Sequence, residues 1–195
     1  MYKKIAIVGS HGTGKSTLLS DLTTLSELSQ YKFITESARN ILARSNLKLE
    51  GLTKDNAFHF EFECIAYQAI EEGSAKNDMF ISDRCFFDVE VYSKSMLDNK
   101  LITENQLETI NDLCITFKKD QYDLILFVPI EFSMSEQDSV DNRNESEEYR
   151  KHIEQQLYYN LLQYKLEHQR NLEIIFVKGS REERVEKVIK ILTTY

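Results

Sequence analysis

The segment GSHGTGKST at residues 9–17 constrains this chain more than any other stretch, because it directly follows an apolar run at residues 5–8. It matches G-x-x-x-x-G-K-[ST] at every fixed position, a pattern that needs a strand before it and a helix after it. KKIAIV has the composition of a strand, and one face of the following helix carries Leu18, Leu19, Leu22 and Leu25. The segment therefore predicts a phosphate-binding loop between the first strand and the first helix.

Each residue type in this loop suits the binding of a nucleoside triphosphate. Glycines permit positive φ angles and a close approach of the backbone, so that successive N–H groups form an anion nest at a helix N-terminus. We expect Lys15 to reach the β- and γ-phosphates of ATP and Ser16 to complete the coordination of Mg²⁺. His11 is interpreted as a spacer and not as a general base. The residues predicted to contact ATP are Gly9, His11, Gly12, Thr13, Gly14, Lys15, Ser16 and Thr17. The alternative is a plain glycine-rich turn with a solvated Lys15.

Length and composition favour one α/β domain over residues 1–195. There is no apolar run long enough for a membrane span and no secretory signal, and Cys64, Cys85 and Cys114 lack metal-site spacing. We therefore expect a cytoplasmic protein with reduced core thiols. The net charge of −8, with dispersed basic residues, disfavours extended nucleic acid as a ligand. A homodimer is left open.

Further strands are predicted at residues 31–35, 78–83, 122–128 and 172–179, with helical patterns between them. Strands that alternate with helices predict a five-stranded parallel sheet with helices on both faces. Within the segment at 54–72, apolar residues at 58, 62, 65, 66, 69 and 70 fit an amphipathic helix. The alternation of Phe58, Phe60 and Phe62 leaves a local strand open.

Charged residues follow two of the predicted strands. Glu36 lies just beyond the second strand, and Asp83 and Arg84 lie just beyond the third. Ligands of such sheets bind outside the carboxyl ends of the strands. The carboxylates could hold Mg²⁺ or accept a proton from an attacking hydroxyl, and Arg84 could bind phosphate or substrate. The alternatives are an N-cap for Asp83, compensation of a helix dipole for Glu36 and a solvated Arg84.

Together, the phosphate-binding loop, TESAR, ISDRCFFDVEVY and DNRNESEEYRKHI resemble the P-loop nucleoside and nucleotide kinases. The resemblance is closest to the thymidylate-kinase-like group and to nicotinamide riboside kinase domains, which are often described as AAA-type ATP-binding proteins. It implies the P-loop NTPase fold and a base or metal partner at Glu36 or Asp83. It also implies a contact of Arg84 with the phosphate of the acceptor or with the reacting centre. Asp88 and Tyr92 would flank the acceptor pocket. The fourth strand departs from the pattern, because it ends at Val128 and Pro129 and not in an aspartate.

The resemblance also implies a lid over the donor phosphates, at about residues 134–150, that offers Arg143 and Arg150. This polar segment could exclude water and bring Arg143 over the leaving phosphate, with Arg150 as a further contact for ATP. The alternatives are a disordered surface loop and an ion pair between Arg150 and Glu154 on one helix.

These observations predict an ATP- and Mg²⁺-dependent phosphotransferase. Its catalytic residues would be Lys15, Glu36, Asp83, Arg84 and Arg143, and its metal would be held by Ser16 and Asp83. The acceptor would be a nucleoside, a nucleoside monophosphate or nicotinamide riboside. The alternatives are a kinase that acts on a nucleotide within DNA or RNA, and a regulatory P-loop ATPase. A GTPase is disfavoured, because NKLI at 99–102 lacks the aspartate that reads guanine.

Overall fold

The computed structural model describes residues 2–45, 51–118, 121–133, 147–168 and 172–193. In these residues strands and helices alternate along the chain, as the sequence predicts. The strands are β1 Lys4–Val8, β2 Lys32–Ile34, β3 Phe80–Asp83, β4 Leu124–Phe127 and β5 Glu173–Phe176. The helices are α1 Lys15–Thr23, α2 Ser37–Ser45, α3 Ala57–Gly73, α4 Phe86–Asp98, α5 Glu104–Lys118, α6 Glu147–His168 and α7 Arg181–Thr193.

The five strands form one parallel sheet in the order β2-β3-β1-β4-β5. This confirms the predicted fold class. The central strand β1 has β3 on one side and β4 on the other, and Ile7 is in register with Asp83. The apolar strand that ends in an aspartate beside the P-loop is therefore β3. In the sequence analysis that aspartate was expected at the end of the fourth strand.

Alternate side chains of the central strand enter two cores on opposite faces of the sheet. Ile5 and Ile7 pack with Leu22 of α1 and Val188 of α7. Ala6 and Val8 pack with apolar residues of α4 and α6 on the other face. A third apolar cluster joins α2, α3, α4 and α5 beside the sheet. Helices thus cover both faces of the sheet.

Helix α3 confirms the helix predicted for this segment, but its buried face differs from the apolar pattern. The segment with Phe58, Phe60 and Phe62 is helical throughout, so the local strand does not form. Its buried face consists of residues 57, 60, 61, 64, 65, 68 and 72, whereas Phe62 and Ile70 are 48% and 67% exposed. Polar residues on this helix therefore face inward, because one side of α3 lines a cavity that is described below.

Residues 147–150, which were assigned to the lid, form the first turn of α6. The rest of that segment, with Arg143, lies outside the described residues. Cys64, Cys85 and Cys114 are buried and form no disulfide, and burial raises the pKa of each thiol. Among the helices described, none is both long and apolar enough to cross a bilayer.

Candidate active site

The P-loop turns tightly between β1 and α1. A Cβ atom at Gly9 would overlap the carbonyl oxygen of Val128, at the end of the neighbouring strand. Gly14 has φ of 88°, a left-handed conformation that side chains disfavour, and its carbonyl accepts the Leu18 N–H at 2.9 Å. These two glycines bring the loop close to β4 and then start α1, so that the helix N-terminus points toward the loop.

Lys15 is buried at the start of α1, and its Nζ donates to the carbonyl oxygen of Ser10 at 2.6 Å. The same oxygen accepts the hydroxyl of Thr13 at 3.0 Å. Burial, reinforced by the positive charge of Arg84, lowers the pKa of Lys15 to about 8, although nearby carboxylates oppose the shift. Lys15 is therefore held beside the loop, in the place where the motif requires a cation for phosphate.

Arg150, at the start of α6, is fully buried against the loop. Its Nε donates to the carbonyl oxygen of His11 at 3.2 Å, and its Nη2 donates to that of Gly12 at 3.3 Å. Its ion pair is with Glu147 at 2.6 Å, and the Glu154 carboxylate accepts the Ile130 N–H. The alternative of a surface pair between Arg150 and Glu154 is therefore wrong. Arg150 binds loop carbonyl oxygens, and a direct contact with ATP stays a prediction.

A second buried arginine, Arg184 of α7, holds the same loop, and sequence reasoning missed it. Its Nη1 donates to the carbonyl oxygen of Thr13 at 2.6 Å, and its Nε donates to that of Gly179 at 3.0 Å. Glu131 pairs with Nη2 at 2.7 Å. Arg150 and Arg184 thus bind the outward carbonyl oxygens of three successive loop residues. This leaves the N–H side of the loop to face a phosphate group.

Ser16 and Asp83 meet at the start of α1. The Ser16 hydroxyl donates to Oδ2 of Asp83 at 2.5 Å. Oδ1 of Asp83 is buried and makes no hydrogen bond with any described residue. Burial raises the pKa of this carboxyl, and Lys15 and Arg84 oppose the shift. A hydroxyl and a carboxylate with a spare oxygen are ligands that Mg²⁺ accepts, so these two residues fit the predicted metal site. The N-cap of α4 is Cys85, so the N-cap alternative for Asp83 is wrong.

Arg84 links the P-loop edge to a pair of carboxylates. Its Nε donates to Oε1 of Glu36 at 2.7 Å, and its Nη1 donates to Oδ1 of Asp88 at 3.2 Å. The guanidinium also lies over the Tyr92 ring, 4.9 Å from its centre. Burial acts against the charge of Arg84, but Glu36, Tyr92 and the two aspartates outweigh it and raise its pKa further. Arg84 is therefore a fixed cation, and the solvated alternative is wrong.

A cavity of about 170 Å³ begins at this ion-pair cluster and extends between α3 and α4. Glu36, Arg84, Asp88 and Tyr92 line it, which agrees with the pocket expected for Asp88 and Tyr92. Glu61 of α3 also lines it and is 3% exposed. A pocket with convergent charged groups beside an anion-binding loop has the form of a second substrate site.

The described structure brings the predicted residues of the P-loop together with Glu36, Asp83 and Arg84 at one edge of the sheet. Thr17 faces outward and is exposed, while the buried His11 ring lies 6.0 Å from the Tyr149 ring. Arg184 and Glu61 were not identified as site residues in the sequence analysis. Arg184 lies in an ordinary amphipathic pattern, and Glu61 belongs to a face of α3 that the apolar pattern placed outside.

A family model described as an AAA domain matches residues 4–184 of the chain. No curated protein sequence matches this chain. Its structure is similar to that of a NadR protein in complex with NR, at a TM-score of 0.71 and 18% identity over 99% of this chain and 50% of that one. A NadR protein in complex with NAD and AMP-PNP matches at a TM-score of 0.68, 21% identity and the same coverage. This chain therefore spans about half the length of those NadR chains.

A deoxyadenosine kinase from M. mycoides with bound dATP matches at a TM-score of 0.67 and 16% identity, over 97% of this chain and 98% of that one. At such identities the likeness shows the shared fold. The family match extends from β1 into α7 and so includes the P-loop and the residues that face it. The chain therefore belongs to the AAA domain family, and its fold is that of the P-loop nucleoside kinases.

Proposed function

We propose that this chain transfers the γ-phosphate of ATP to a hydroxyl of a nucleoside, a nucleoside monophosphate or nicotinamide riboside. One observation carries the proposal: two consecutive residues join the P-loop to the cavity. Asp83 accepts the hydrogen bond of Ser16, and Arg84 binds Glu36 and Asp88. A phosphate donor on the loop and an acceptor in the cavity would meet at this pair of residues. Similar folds have been solved with NR and with dATP, which supports the proposal.

In this proposal the N–H groups of the P-loop and Lys15 bind the phosphates of ATP. Ser16 and Asp83 would hold Mg²⁺, which supplies positive charge to the β- and γ-phosphate oxygens when bound. Arg150 and Arg184 keep the loop in its binding conformation through their hydrogen bonds to its carbonyl oxygens. Arg143, in the segment proposed as a lid, would supply further positive charge at the leaving phosphate.

Glu36 is the proposed general base. It lies just beyond β2, and its carboxylate is held at 2.7 Å by Arg84 on the cavity wall. In that position it can accept the proton of an acceptor hydroxyl while Arg84 holds the acceptor or the transferring phosphate. Asp83 is assigned to the metal, because its carboxylate is engaged with Ser16 on the P-loop. Arg39 is exposed beside Glu36, at 3.6 Å, and is available to orient the acceptor.

An acceptor screen with ATP labelled at the γ-phosphate tests this function. The panel contains nucleosides, nucleoside monophosphates, nicotinamide riboside and short oligonucleotides, with and without Mg²⁺. We expect label in a small nucleoside-like product and none with Lys15→Ala, which removes the cation on the transferring phosphate. Label in oligonucleotide ends would favour the nucleic-acid kinase instead. If inorganic phosphate is released at the same rate without an acceptor and with each acceptor of the panel, the regulatory ATPase is favoured instead.

A single domain over residues 1–195 is part of the proposal, because the described sheet uses strands from both ends of the chain. The homodimer stays a prediction, which sedimentation of the purified chain tests.

A further inference from the structure

Among the described residues that line the cavity, carboxylates outnumber basic side chains. Among the described residues that line it, three carry carboxylates and one carries a guanidinium: Glu36, Glu61, Asp88 and Arg84. Arg84 is already paired with Glu36 and with Asp88. Within the described residues no basic side chain forms an ion pair with Glu61. A buried carboxyl without an ion-pair partner is costly when ionised, so its presence in a cavity wall needs a reason.

Glu61 lies at a distance from the proposed chemistry. On the same face of α3, Gln68 is at the sheet, where its amide donates to the Ser82 hydroxyl at 2.8 Å. Glu61 is two helical turns earlier, which corresponds to about 10 Å along the axis. It therefore lines a part of the cavity away from the sheet edge, where the portion of the acceptor that does not react would lie.

We infer that Glu61 makes the cavity selective for nucleosides whose base carries a positive charge. This inference rests on the proposed function, since it names the class of acceptor that the same site takes. A cationic ring beside Glu61 would supply the missing partner, and burial would strengthen the attraction relative to water. A neutral ring of the same shape would leave the carboxyl without that partner.

The ionisation of Glu61 gives this selectivity a measurable signature. Burial raises the pKa of Glu61 to about 8, partly opposed by the nearby Ser93 hydroxyl and by Arg84. Among the described residues, the other titratable groups that face it or share its cavity are Cys64, Cys114, Glu36, Cys85, Asp88, Tyr92 and Tyr149. Burial raises the pKa of all three thiols, so they stay neutral in this range. A bound cation would lower the pKa of Glu61, so binding would release a proton and would tighten as the pH rises toward 8.

Nicotinamide riboside and its dihydro form are the matched probes. They have nearly the same size and share the carboxamide and the ribose, but only the first has a positively charged ring. Equilibrium binding of both is measured at pH 7.5 to the parent chain, to Glu61→Gln and to Glu63→Gln. Glu63 is an exposed residue of the same helix, so its variant makes the same change of net charge outside the cavity.

We expect the parent and Glu63→Gln to bind the cation about tenfold or more tightly than the neutral form. Glu61→Gln should lose that preference while it keeps its affinity for the neutral form. In the parent chain the affinity for the cation should rise between pH 6.5 and 8, with proton release in calorimetry, and this readout needs no variant. Equal binding of the two forms, a preference that survives in Glu61→Gln, or no binding of either form would overturn the inference.

Binding and transfer separate this inference from the proposed function. Preferential binding of the cation without phosphate transfer would contradict the proposed function and support the charge selectivity. Transfer to neutral nucleosides, with weaker binding of the cation, would keep the phosphotransferase and overturn the selectivity.

Discussion

The Ser16 hydroxyl donates a 2.5 Å hydrogen bond to Asp83, which lies 67 residues later in the chain. This contact exists because β3, and not β2, pairs with the central strand. It connects the first turn of α1 to the end of β3, and the next residue, Arg84, connects β3 to the cavity. The donor and acceptor sites of the proposed reaction therefore share one short segment of backbone.

The Ser16–Asp83 contact predicts a Mg²⁺ defect when the carboxylate is removed. Asp83→Asn should raise the Mg²⁺ concentration for half-maximal activity by about tenfold, because an amide oxygen is a weaker ligand for the ion than a carboxylate. Activity is titrated with Mg²⁺ at saturating ATP. Asp98→Asn, at an exposed position of α4, is the matched control. An unchanged Mg²⁺ requirement in Asp83→Asn would remove this residue from the metal site.

Glu36→Gln and Asp83→Asn should lose activity for different reasons. Glu36→Gln should lower turnover by about a hundredfold or more through the loss of the base, while the affinity for Mg²⁺-ATP stays near the parent value. Direct ATP binding and steady-state turnover of the same preparation measure the two effects. If Glu36→Gln remains active while Asp83→Asn is inactive at every Mg²⁺ concentration, Asp83 is the base.

Arg184 should matter for ATP affinity although it faces the outer side of the loop. Arg184→Lys keeps a positive charge but cannot donate to Thr13, Gly179 and Glu131 together, so ATP should bind about tenfold more weakly. Arg181→Lys is the control, because Arg181 is an exposed arginine of the same helix that pairs with Asp21. ATP affinity that is the same in the two variants would show that Arg184 does not position the loop.

Gly9 should not tolerate a side chain. The Cβ atom of Gly9→Ala would overlap the carbonyl oxygen of Val128, and the required shift of β1 against β4 should cost roughly 2–4 kcal/mol of unfolding free energy. Denaturant titration measures the loss. Gly73→Ala, where a Cβ atom meets nothing within 4 Å, should be neutral or stabilising. A Gly9→Ala chain as stable as the parent would contradict the loop geometry.

Glu61 should also leave a pH signature on stability. Its pKa is about 8 in the folded chain and near the ordinary value of 4.5 in the unfolded one. Glu61 therefore binds its proton more tightly in the folded chain than in the unfolded one. As a result, the free energy of unfolding falls as the pH rises from about 5 to 8. Relative to the parent, Glu61→Gln should gain roughly 4 kcal/mol of unfolding free energy across that range. A difference between the two chains that does not vary with pH would place the pKa of Glu61 near its ordinary value.

The sheet and the P-loop could be predicted because local patterns define them. Glycine spacing identifies the loop, and short apolar runs followed by charged residues identify the strands and their carboxyl ends. Strand order cannot be obtained from the same patterns, since it depends on packing between distant segments. This is why an aspartate was sought at β4, although Asp83 already stood at the end of the strand beside β1.

The cavity was harder to predict because its wall combines apolar side chains with buried polar and charged ones. The apolar pattern of α3 placed Phe62 and Ile70 on the buried side, but the helix turns Glu61 and Gln68 inward and leaves both apolar side chains exposed. A helix that faces a binding cavity buries polar groups that the ligand or the network satisfies, so hydrophobic periodicity misplaces it. The roles of Arg150 and Arg184 depend on carbonyl oxygens of the loop, which no side-chain pattern encodes.

The central claim is that the P-loop donor and the cavity acceptor exchange a phosphate. The most direct measurement follows the γ-phosphate of labelled ATP in a single turnover, with the protein in excess and with or without the acceptor from the screen. The account predicts that the acceptor accelerates ATP consumption and carries the label, and that Glu36→Gln binds ATP without this acceleration. Label that appears only as inorganic phosphate, at a rate the acceptor does not change, would contradict it.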